Sequence, residues 1–301
     1  DVRIDLGGPA VRDTLPPTSV TTYVWRPGVP DDTGVASWRT TATAGGLTEQ
    51  VAARVPLDTR PVVGGEELVV GDAVPGTSPL VGFGGALTDS AAYVIDTSPE
   101  RDAILTDLFG ADGASLDVVR LAMGASDFVA TPGHASYADE PDPTLASFSI
   151  QRDRAHVLPV LRDALAIDPD LVVVAAPWSA PGWMKRSGTY VGDCWQQQNQ
   201  LRDDMVEVYA RYYVRFLQAY AAEGVDVAQV SLGNEPQHCN STYPTMTMPV
   251  ATQARLATEL RPALDAAGFG DVAILGWDHN YVDEGTDRPT DYPAALLAAA
   301  G

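Results

Sequence analysis

From about residue 80 onward, short apolar runs alternate with longer segments of helical periodicity, and this alternation limits the fold more than any other feature of the sequence. The run at 171–176, Leu-Val-Val-Val-Ala-Ala, is almost continuously apolar, which is typical of a strand buried on both faces of a parallel sheet. Strands are predicted at 80–85, 117–123, 171–176, 227–232 and 272–277. Helices are predicted at 90–109, 151–167, 203–222, 250–267 and 291–300. Successive strand–helix units of this kind predict an α/β protein with a parallel sheet.

Two parallel architectures compete for this pattern. A dinucleotide-binding fold requires a Gly-x-Gly-x-x-Gly turn after a strand, and the nearest match, Gly82-Phe-Gly-Gly85, lacks that spacing. A (β/α)8 TIM barrel fits better because polar or aromatic groups follow the predicted strands at the same end. We therefore expect about the first five β/α units of a barrel within 76–301. Residues 1–75, with strand-like runs at 20–25, 36–41 and 67–70, are expected to form a β-rich segment of a side β-sandwich.

The strand predicted at 227–232 leads directly into Asn234-Glu235-Pro236. Pro236 has no N–H to donate to a sheet, so the strand should end before it and leave Asn234 and Glu235 at its carboxyl tip. That end of a barrel strand faces the active site, where an ionisable residue is typically catalytic. The alternative is that Glu235 is an ordinary loop carboxylate after a buried strand.

The predicted strand ends together carry carboxylates, tryptophans and an amide. These residues are Asp89, Asp127, Trp178, Asn234, Glu235, Trp277 and Asp278. Tryptophan rings can stack on the apolar faces of sugars, while carboxylate and amide groups can bind hydroxyls. Glycoside hydrolysis requires a pair of carboxyl groups that flank the scissile bond. The residue types therefore predict a carbohydrate substrate.

Four segments resemble glycoside hydrolase family 30, which includes glucosylceramidases and β-1,6-glucanases. They are Gly82-Phe-Gly-Gly-Ala-Leu-Thr-Asp-Ser-Ala-Ala92, Val119-Arg-Leu-Ala-Met-Gly-Ala-Ser-Asp-Phe128, Ala176-Pro-Trp-Ser-Ala-Pro-Gly-Trp-Met-Lys185 and Gly233-Asn-Glu-Pro236. The resemblance implies a (β/α)8 barrel with a β-sandwich side domain built from both chain ends. It also implies that Glu235 is the general acid/base, with Asn234 beside it on the sugar.

By the same resemblance, Asp89 and Trp178 correspond to residues that bind the terminal sugar. Asp127, Trp277 and Asp278 lie in rim segments whose roles the resemblance leaves open, and bracing of its own loop is the alternative for Asp127. The family acts by a retaining mechanism without metal or organic cofactor, so none is expected here. β-Glucosidic linkages are favoured, with β-xylosides or β-fucosides as alternatives.

The family's nucleophile is a glutamate on the seventh barrel strand, and no residue of this chain corresponds to it. Glu284, in a Gly- and Pro-rich loop, and Glu259, within a predicted helix, are poor substitutes. We expect the nucleophile in a complementary polypeptide segment that completes the barrel. Two other hypotheses remain: a carbohydrate-binding or interaction protein that lacks the nucleophile, and, more remotely, an α/β oxidoreductase.

The chain is strongly acidic, with 19 Lys and Arg against 40 Asp and Glu, a net charge of −21. This charge argues against nucleic acid or anionic membranes as partners. No apolar run reaches the roughly 18 residues that a membrane span needs. Cys194 and Cys239 each follow a predicted strand end, so a disulfide between the two loops is expected, with two unpaired thiols as the alternative. Asp1 opens the sequence as a processed N-terminus would, and a secreted or extracellular location is expected.

Overall fold

The computed structural model describes residues 2–5, 10–17, 19–24, 35–43, 46–58, 66–69, 81–130, 133–283, 285, 288 and 290–301. Trp25, Val70 and Leu80, which end or begin predicted strands, lie outside these residues, as does Glu284. The chain divides into two compact units, Asp1–Pro79 and Leu80–Gly301.

The first unit contains two small β-sheets. One has the order β6-β2-β1-β7, and the other has the order β3-β4-β5. The strands are β1 (Val2–Asp5), β2 (Ala10–Asp13), β3 (Ser19–Val24), β4 (Val35–Thr43), β5 (Gly46–Val55), β6 (Leu57–Asp58) and β7 (Glu66–Val69). Ile4 and Val11 from one sheet and Val35 from the other share an apolar cluster, so the two sheets bury a common core. Between the two sheets, Tyr23 of β3 donates to Asp13 of β2 (2.6 Å), which also pairs with Arg39 of β4.

The second unit is built on a parallel sheet of five strands in the order β12-β11-β10-β9-β8. The strands are β8 (Gly84–Leu87), β9 (Val118–Ala122), β10 (Val172–Ala176), β11 (Gln229–Ser231) and β12 (Ala273–Leu275). Every adjacent pair is parallel, and the spatial order follows the chain order. This arrangement is a partial (β/α) barrel, which confirms the predicted fold class.

Six α-helices accompany these strands in the described part of the chain. They are α1 (Asp89–Thr97), α2 (Arg101–Phe109), α3 (Val157–Ile167), α4 (Val206–Ala222), α5 (Val250–Ala266) and α6 (Tyr292–Ala300). One large apolar core lies between the helices and the sheet. The aromatic face of α4 lies within this core, because Tyr209, Tyr212, Tyr213 and Phe216 have no exposed surface. The helical periodicity at 203–222 predicted this helix, which begins at Val206 after a 3-10 turn at Asp203–Met205. None of the described helices has the length and apolar character needed to cross a membrane.

Three departures from the predicted boundaries have a physical reason or change the count of helices. The single helix expected at 90–109 is two helices, because the chain turns at Ser98 and Pro99 between α1 and α2. The helix expected from 151 begins only at Val157, after a series of turns. β8 starts at Gly84 rather than at residue 80. A side chain at position 84 would place its Cβ 1.9 Å from the carbonyl oxygen of Val118 on β9. Glycine is required there because β8 and β9 approach closely.

Candidate active site

Arg120 lies at the centre of the candidate site. It is the third residue of β9, on the face opposite the buried Val119 and Leu121. Its Nη2 donates to Asp278 Oδ2 (2.7 Å) and to Asn234 Oδ1 (2.9 Å). Its guanidinium carbon lies 4.7 Å from the ring centre of Trp178. One cation thus joins the residues that follow β10, β11 and β12.

These contacts define the chemistry that each neighbour can offer. A guanidinium group only donates hydrogen bonds, so Asn234 must turn its oxygen toward Arg120. The Nδ2 group of Asn234 is then the part of the amide that can bind a substrate hydroxyl. Trp178 is 8% exposed, and its contact with Arg120 fixes the ring in the wall of the site. The arrangement offers a neutral donor and a fixed aromatic ring at the tips of β11 and β10.

Glu235 follows Asn234 and has a backbone φ of 46°, in the left-handed region that non-glycine residues seldom adopt. Hydrogen bonds hold this conformation on both sides. The Glu235 N–H donates to the carbonyl of Asp278 (2.9 Å), and the His238 N–H donates to the carbonyl of Glu235 (2.8 Å). Asn234 N–H donates to the carbonyl of Pro177 (2.8 Å). The tip of β11 is therefore tied to the tips of both neighbouring strands, and the Glu235 carboxylate is partly exposed.

Asp89 lies at the same end of the sheet, immediately after β8, as the first residue of α1. Thr88 caps this helix by accepting the Ala91 N–H (3.1 Å), and a carboxylate in the first turn is favoured by the helix dipole. Asp89 accepts from the N–H of Ala130 (2.6 Å) and from Arg152 (3.2 Å). Its carboxylate is thereby held in a fixed orientation, with a side-chain exposure of 17%.

The structure thus places Trp178, Asn234 and Asp278 around Arg120. Glu235 is joined to this group through its backbone bond to Asp278, and Asp89 is paired separately after β8. Asp127 is exposed in the loop after β9, and the turn there is closed by Ser126, whose hydroxyl accepts from the N–H of Phe128 (3.0 Å). Trp277 points toward α6, with its ring centre 4.6 Å from that of Tyr292. Glu259 lies on α5, away from the strand ends.

Two residues of the site, Arg120 and Arg152, were not predicted as site residues. Arg120 did carry a signal, because a charged side chain within the run Val-Val-Arg-Leu-Ala of a buried strand needs charged or polar partners. Arg152 lies in the turns before α3 and carried no comparable signal. Both cations orient acidic groups that the sequence did predict.

The rim also contains the disulfide that was expected between Cys194 and Cys239. It joins the loop after β10 to the loop after Glu235. Among the described residues, no group of three His, Cys, Asp or Glu side chains has an arrangement that could hold a metal ion.

The model of the glycosyl hydrolase family 30 TIM-barrel domain matches residues 80–284. The chain belongs to glycosyl hydrolase family 30. The match contains β8 to β12 and every residue of the site described above. The resemblance inferred from the four sequence segments is therefore confirmed.

The relatives include enzymes of two named kinds. An endo-1,6-β-D-glucanase of Neurospora crassa is 32% identical over 243 residues, which are 78% of this chain and 48% of that protein. The lysosomal acid glucosylceramidase of Mus musculus is 32% identical over 65% of this chain and 39% of the mouse protein. Among solved structures, the endo-β-1,6-glucanase BT3312 matches with a TM-score of 0.65 and 32% identity, covering 73% of this chain and 49% of that one. The chain spans about half the length of the relatives that it matches.

Proposed function

We propose that the protein is a retaining glycoside hydrolase that cleaves β-glucosidic linkages, with β-1,6-glucan as the preferred substrate class. The observation that supports this proposal is that Asn234 and Trp178 contact Arg120 at the carboxyl ends of the strands, where the Glu235 backbone is bonded to Asp278. The relatives support the choice of linkage, because endo-1,6-β-glucanases match over 73–78% of this chain.

Glu235 acts as the general acid and base. In the first step its carboxyl protonates the glycosidic oxygen as the leaving group departs, and in the second step its carboxylate takes a proton from the attacking water. The backbone bonds to Asp278 and His238 keep this residue in one position in both steps. Asn234 Nδ2 donates to a sugar hydroxyl, and its orientation is set by Arg120.

The remaining predicted residues bind the sugar or support those that do. Asp89, fixed by Arg152 and the Ala130 N–H, accepts hydroxyl hydrogen bonds of the terminal glucose, and Trp178 provides its stacking surface. Asp278 neutralises and orients Arg120. Asp127, exposed on the rim, and Trp277, packed on Tyr292, belong to the surroundings of the site.

The nucleophile is proposed to be a glutamate in a further polypeptide segment, which also supplies strands that complete the barrel. The relatives support this proposal, because this chain aligns with only about half of their length. In the completed site the two carboxyl groups should stand roughly 5 to 5.5 Å apart, the separation of retaining enzymes. A secreted location is proposed as well, supported by the disulfide between Cys194 and Cys239.

The decisive experiment compares Glu235→Gln with wild type in the complete protein. Hydrolysis of β-1,6-glucan needs protonation of a poor leaving group, so kcat should fall by roughly 10²- to 10⁴-fold. An aryl β-glucoside with a good leaving group needs no acid, so its first step should proceed, and added azide should restore turnover because azide requires no general base. Glu259→Gln, on the side of α5, is the matched control and should behave as wild type.

Three outcomes separate the hypotheses. Unchanged hydrolysis of β-1,6-glucan by Glu235→Gln would exclude Glu235 as acid/base. A wild-type protein that binds β-glucans but hydrolyses neither substrate would be a carbohydrate-binding protein instead. Labelling with a 2-fluoro-glucosyl inactivator, followed by peptide mapping, should find the covalent sugar on a glutamate outside these 301 residues.

A further inference from the structure

The most exposed tryptophan of the described rim is Trp195, which is 70% exposed and directly follows Cys194. Residues 194–198 are called the Trp195 loop below. After Trp195 come two consecutive left-handed residues that are not glycine, Gln196 (φ 43°) and Gln197 (φ 62°), both exposed. Conformations of this kind persist only where the surrounding structure enforces them, and they concentrate at functional sites.

The surroundings of the Trp195 loop do enforce its shape. The disulfide fixes its first residue, and the Gln198 N–H closes the turn on the carbonyl of Trp195 (2.9 Å). The Trp195 N–H donates to Asp193 Oδ1 (3.1 Å). Asn199, 2% exposed, follows the turn and donates to Thr245 (3.1 Å) in the loop after β11. A loop backbone held in this way loses little freedom when a ligand binds to the indole that it carries.

The loop after β10 and the loop after Glu235 are tied together at several further points. Lys185, 1% exposed, donates from Nζ to the carbonyls of Tyr190 (3.2 Å), Val191 (3.1 Å) and Thr245 (2.8 Å). Gly192 lies so close to the second loop that a Cβ there would be 2.0 Å from the carbonyl oxygen of Asn240. These contacts and the disulfide make residues 185–200 and 235–248 one rigid part of the rim.

We propose that the Trp195 loop is a stacking platform for a glucose unit on the leaving-group side of the scissile bond. This inference rests on the function proposed above. A general acid must lie beside the leaving oxygen, so the leaving group passes along the loop that follows Glu235. Cys239 of that loop is bonded to Cys194, which places the Trp195 loop on the same rigid part of the rim.

The chemistry of the loop fits a sugar rather than a lipid chain. The indole face matches the apolar face of a pyranose, and the amides of Gln196 and Gln197 can donate to and accept from its hydroxyls. The neighbouring sequence Asp193-Cys-Trp-Gln-Gln-Gln-Asn199 contains no second apolar side chain of the size that an alkyl chain would require. The platform would therefore select chains with a further glucose unit over glucosides with an apolar aglycone.

The test uses two substrates that differ only on the leaving-group side. β-Glucosyl fluoride has a one-atom leaving group that cannot reach the platform, whereas the β-1,6-linked glucose disaccharide, the oligosaccharide of this test, has a glucose leaving group that can. In the complete protein, Trp195→Ala should lower the ratio of kcat/KM for the oligosaccharide to that for the fluoride by roughly ten- to a hundredfold, the loss of one stacked ring. Trp195→Phe should keep most of the ratio, and Tyr93→Ala, an exposed aromatic on α1, should keep all of it.

The proposal would be overturned if Trp195→Ala left the ratio of the two kcat/KM values within twofold of wild type. An equal loss of kcat/KM on both substrates would also overturn it, because that result would mean a structural role for Trp195. A loss confined to octyl β-glucoside would overturn it in favour of an apolar aglycone site. If the wild type hydrolyses neither substrate, the proposed function fails separately. The proposal about the Trp195 loop is then tested by measuring the affinity for the oligosaccharide by calorimetry. Weaker binding by Trp195→Ala than by wild type supports the proposal, and no binding by wild type refutes it.

Discussion

Replacement of Arg120 by lysine tests whether the site is organised as the structure indicates. Lysine keeps the positive charge and much of the length of arginine, but it has no planar fork and does not stack on a ring as arginine does. Arg120 makes two charge-assisted hydrogen bonds, to Asp278 (2.7 Å) and Asn234 (2.9 Å), and one contact with the face of Trp178 (4.7 Å). A lysine at the same position keeps at most one of these three contacts at full strength.

The expected magnitude follows from those contacts. A hydrogen bond to a charged group contributes about 1.5–3 kcal/mol, and a partly exposed cation–π contact about 0.5–1 kcal/mol. Arg120 and Asp278 are each about a quarter exposed, with side-chain values of 26% and 25%, so water screens part of this energy. We therefore expect Arg120→Lys to cost about 2 kcal/mol of transition-state stabilisation, or roughly a 30-fold loss in kcat/KM.

The assay is kcat/KM on a soluble β-1,6-gluco-oligosaccharide, with urea unfolding to confirm that the variant is folded. A double-mutant cycle with Asp278→Asn should give a coupling energy of about 1 kcal/mol or more in kcat/KM. The matched control is the exposed i,i+4 pair of Arg211 and Glu207 on α4, for which the coupling in stability should be at most about 0.5 kcal/mol. A folded Arg120→Lys variant within threefold of wild type would refute the view that the guanidinium fork positions Asn234.

Two further predictions concern buried charged groups outside the site. Asp153 is 3% exposed and accepts from Tyr137 and from Tyr220 (2.7 Å), and burial raises its pKa to about 6. The folded state therefore binds the proton of the Asp153 carboxyl more tightly than the unfolded state does. The resulting contribution to the free energy of unfolding is fully present below pH 4 and falls by up to about 3 kcal/mol as the pH rises through about 6. The free energy of unfolding from urea titrations, plotted against pH, should differ in slope between wild type and Asp153→Asn over pH 4–6, and parallel curves would contradict this reasoning. Lys185→Met removes the donor from three carbonyls, and relief of the buried charge offsets part of that loss. The free energy of unfolding should therefore fall by about 2 kcal/mol, with faster proteolysis at residues 186–199. Unchanged proteolysis would mean that Lys185 does not hold the rim.

The order of the strands could be predicted from the sequence because each buried strand is a short apolar run between polar segments. Prediction failed where other forces set the boundary. The start of β8 lies in a glycine-rich run that has no side-chain pattern to read, and its position is set by the close approach to Val118. Turns replace the predicted helix before α3, and within them Asp153 accepts from two tyrosine hydroxyls in the core, contacts that the local sequence does not indicate.

The strand ends also predicted which residues share an edge, but not which way each one faces. Trp277 and Asp278 are neighbours after β12, and side chains alternate in direction along an extended chain. Asp278 turns to Arg120, so Trp277 turns to the opposite side and packs on Tyr292 of α6. Arg120 itself was not predicted as a site residue because its three partners come from distant parts of the chain, and only the folded sheet brings them together.

Two unfavourable local features of this sequence meet at one point of the fold. A charged residue inside a buried strand and a left-handed glutamate before a proline each cost free energy, about 1–2 kcal/mol for the backbone of Glu235 alone. Contacts from neighbouring strands offset these costs. Asp278 contributes to both, since its carboxylate pairs with Arg120 and its carbonyl accepts the Glu235 N–H. Exceptions of this kind that depend on one another are expected where a fold holds a reactive group in a single position. The shared dependence on Asp278 therefore supports Glu235, rather than any other carboxylate at this edge, as the residue that the strand ends are arranged to position.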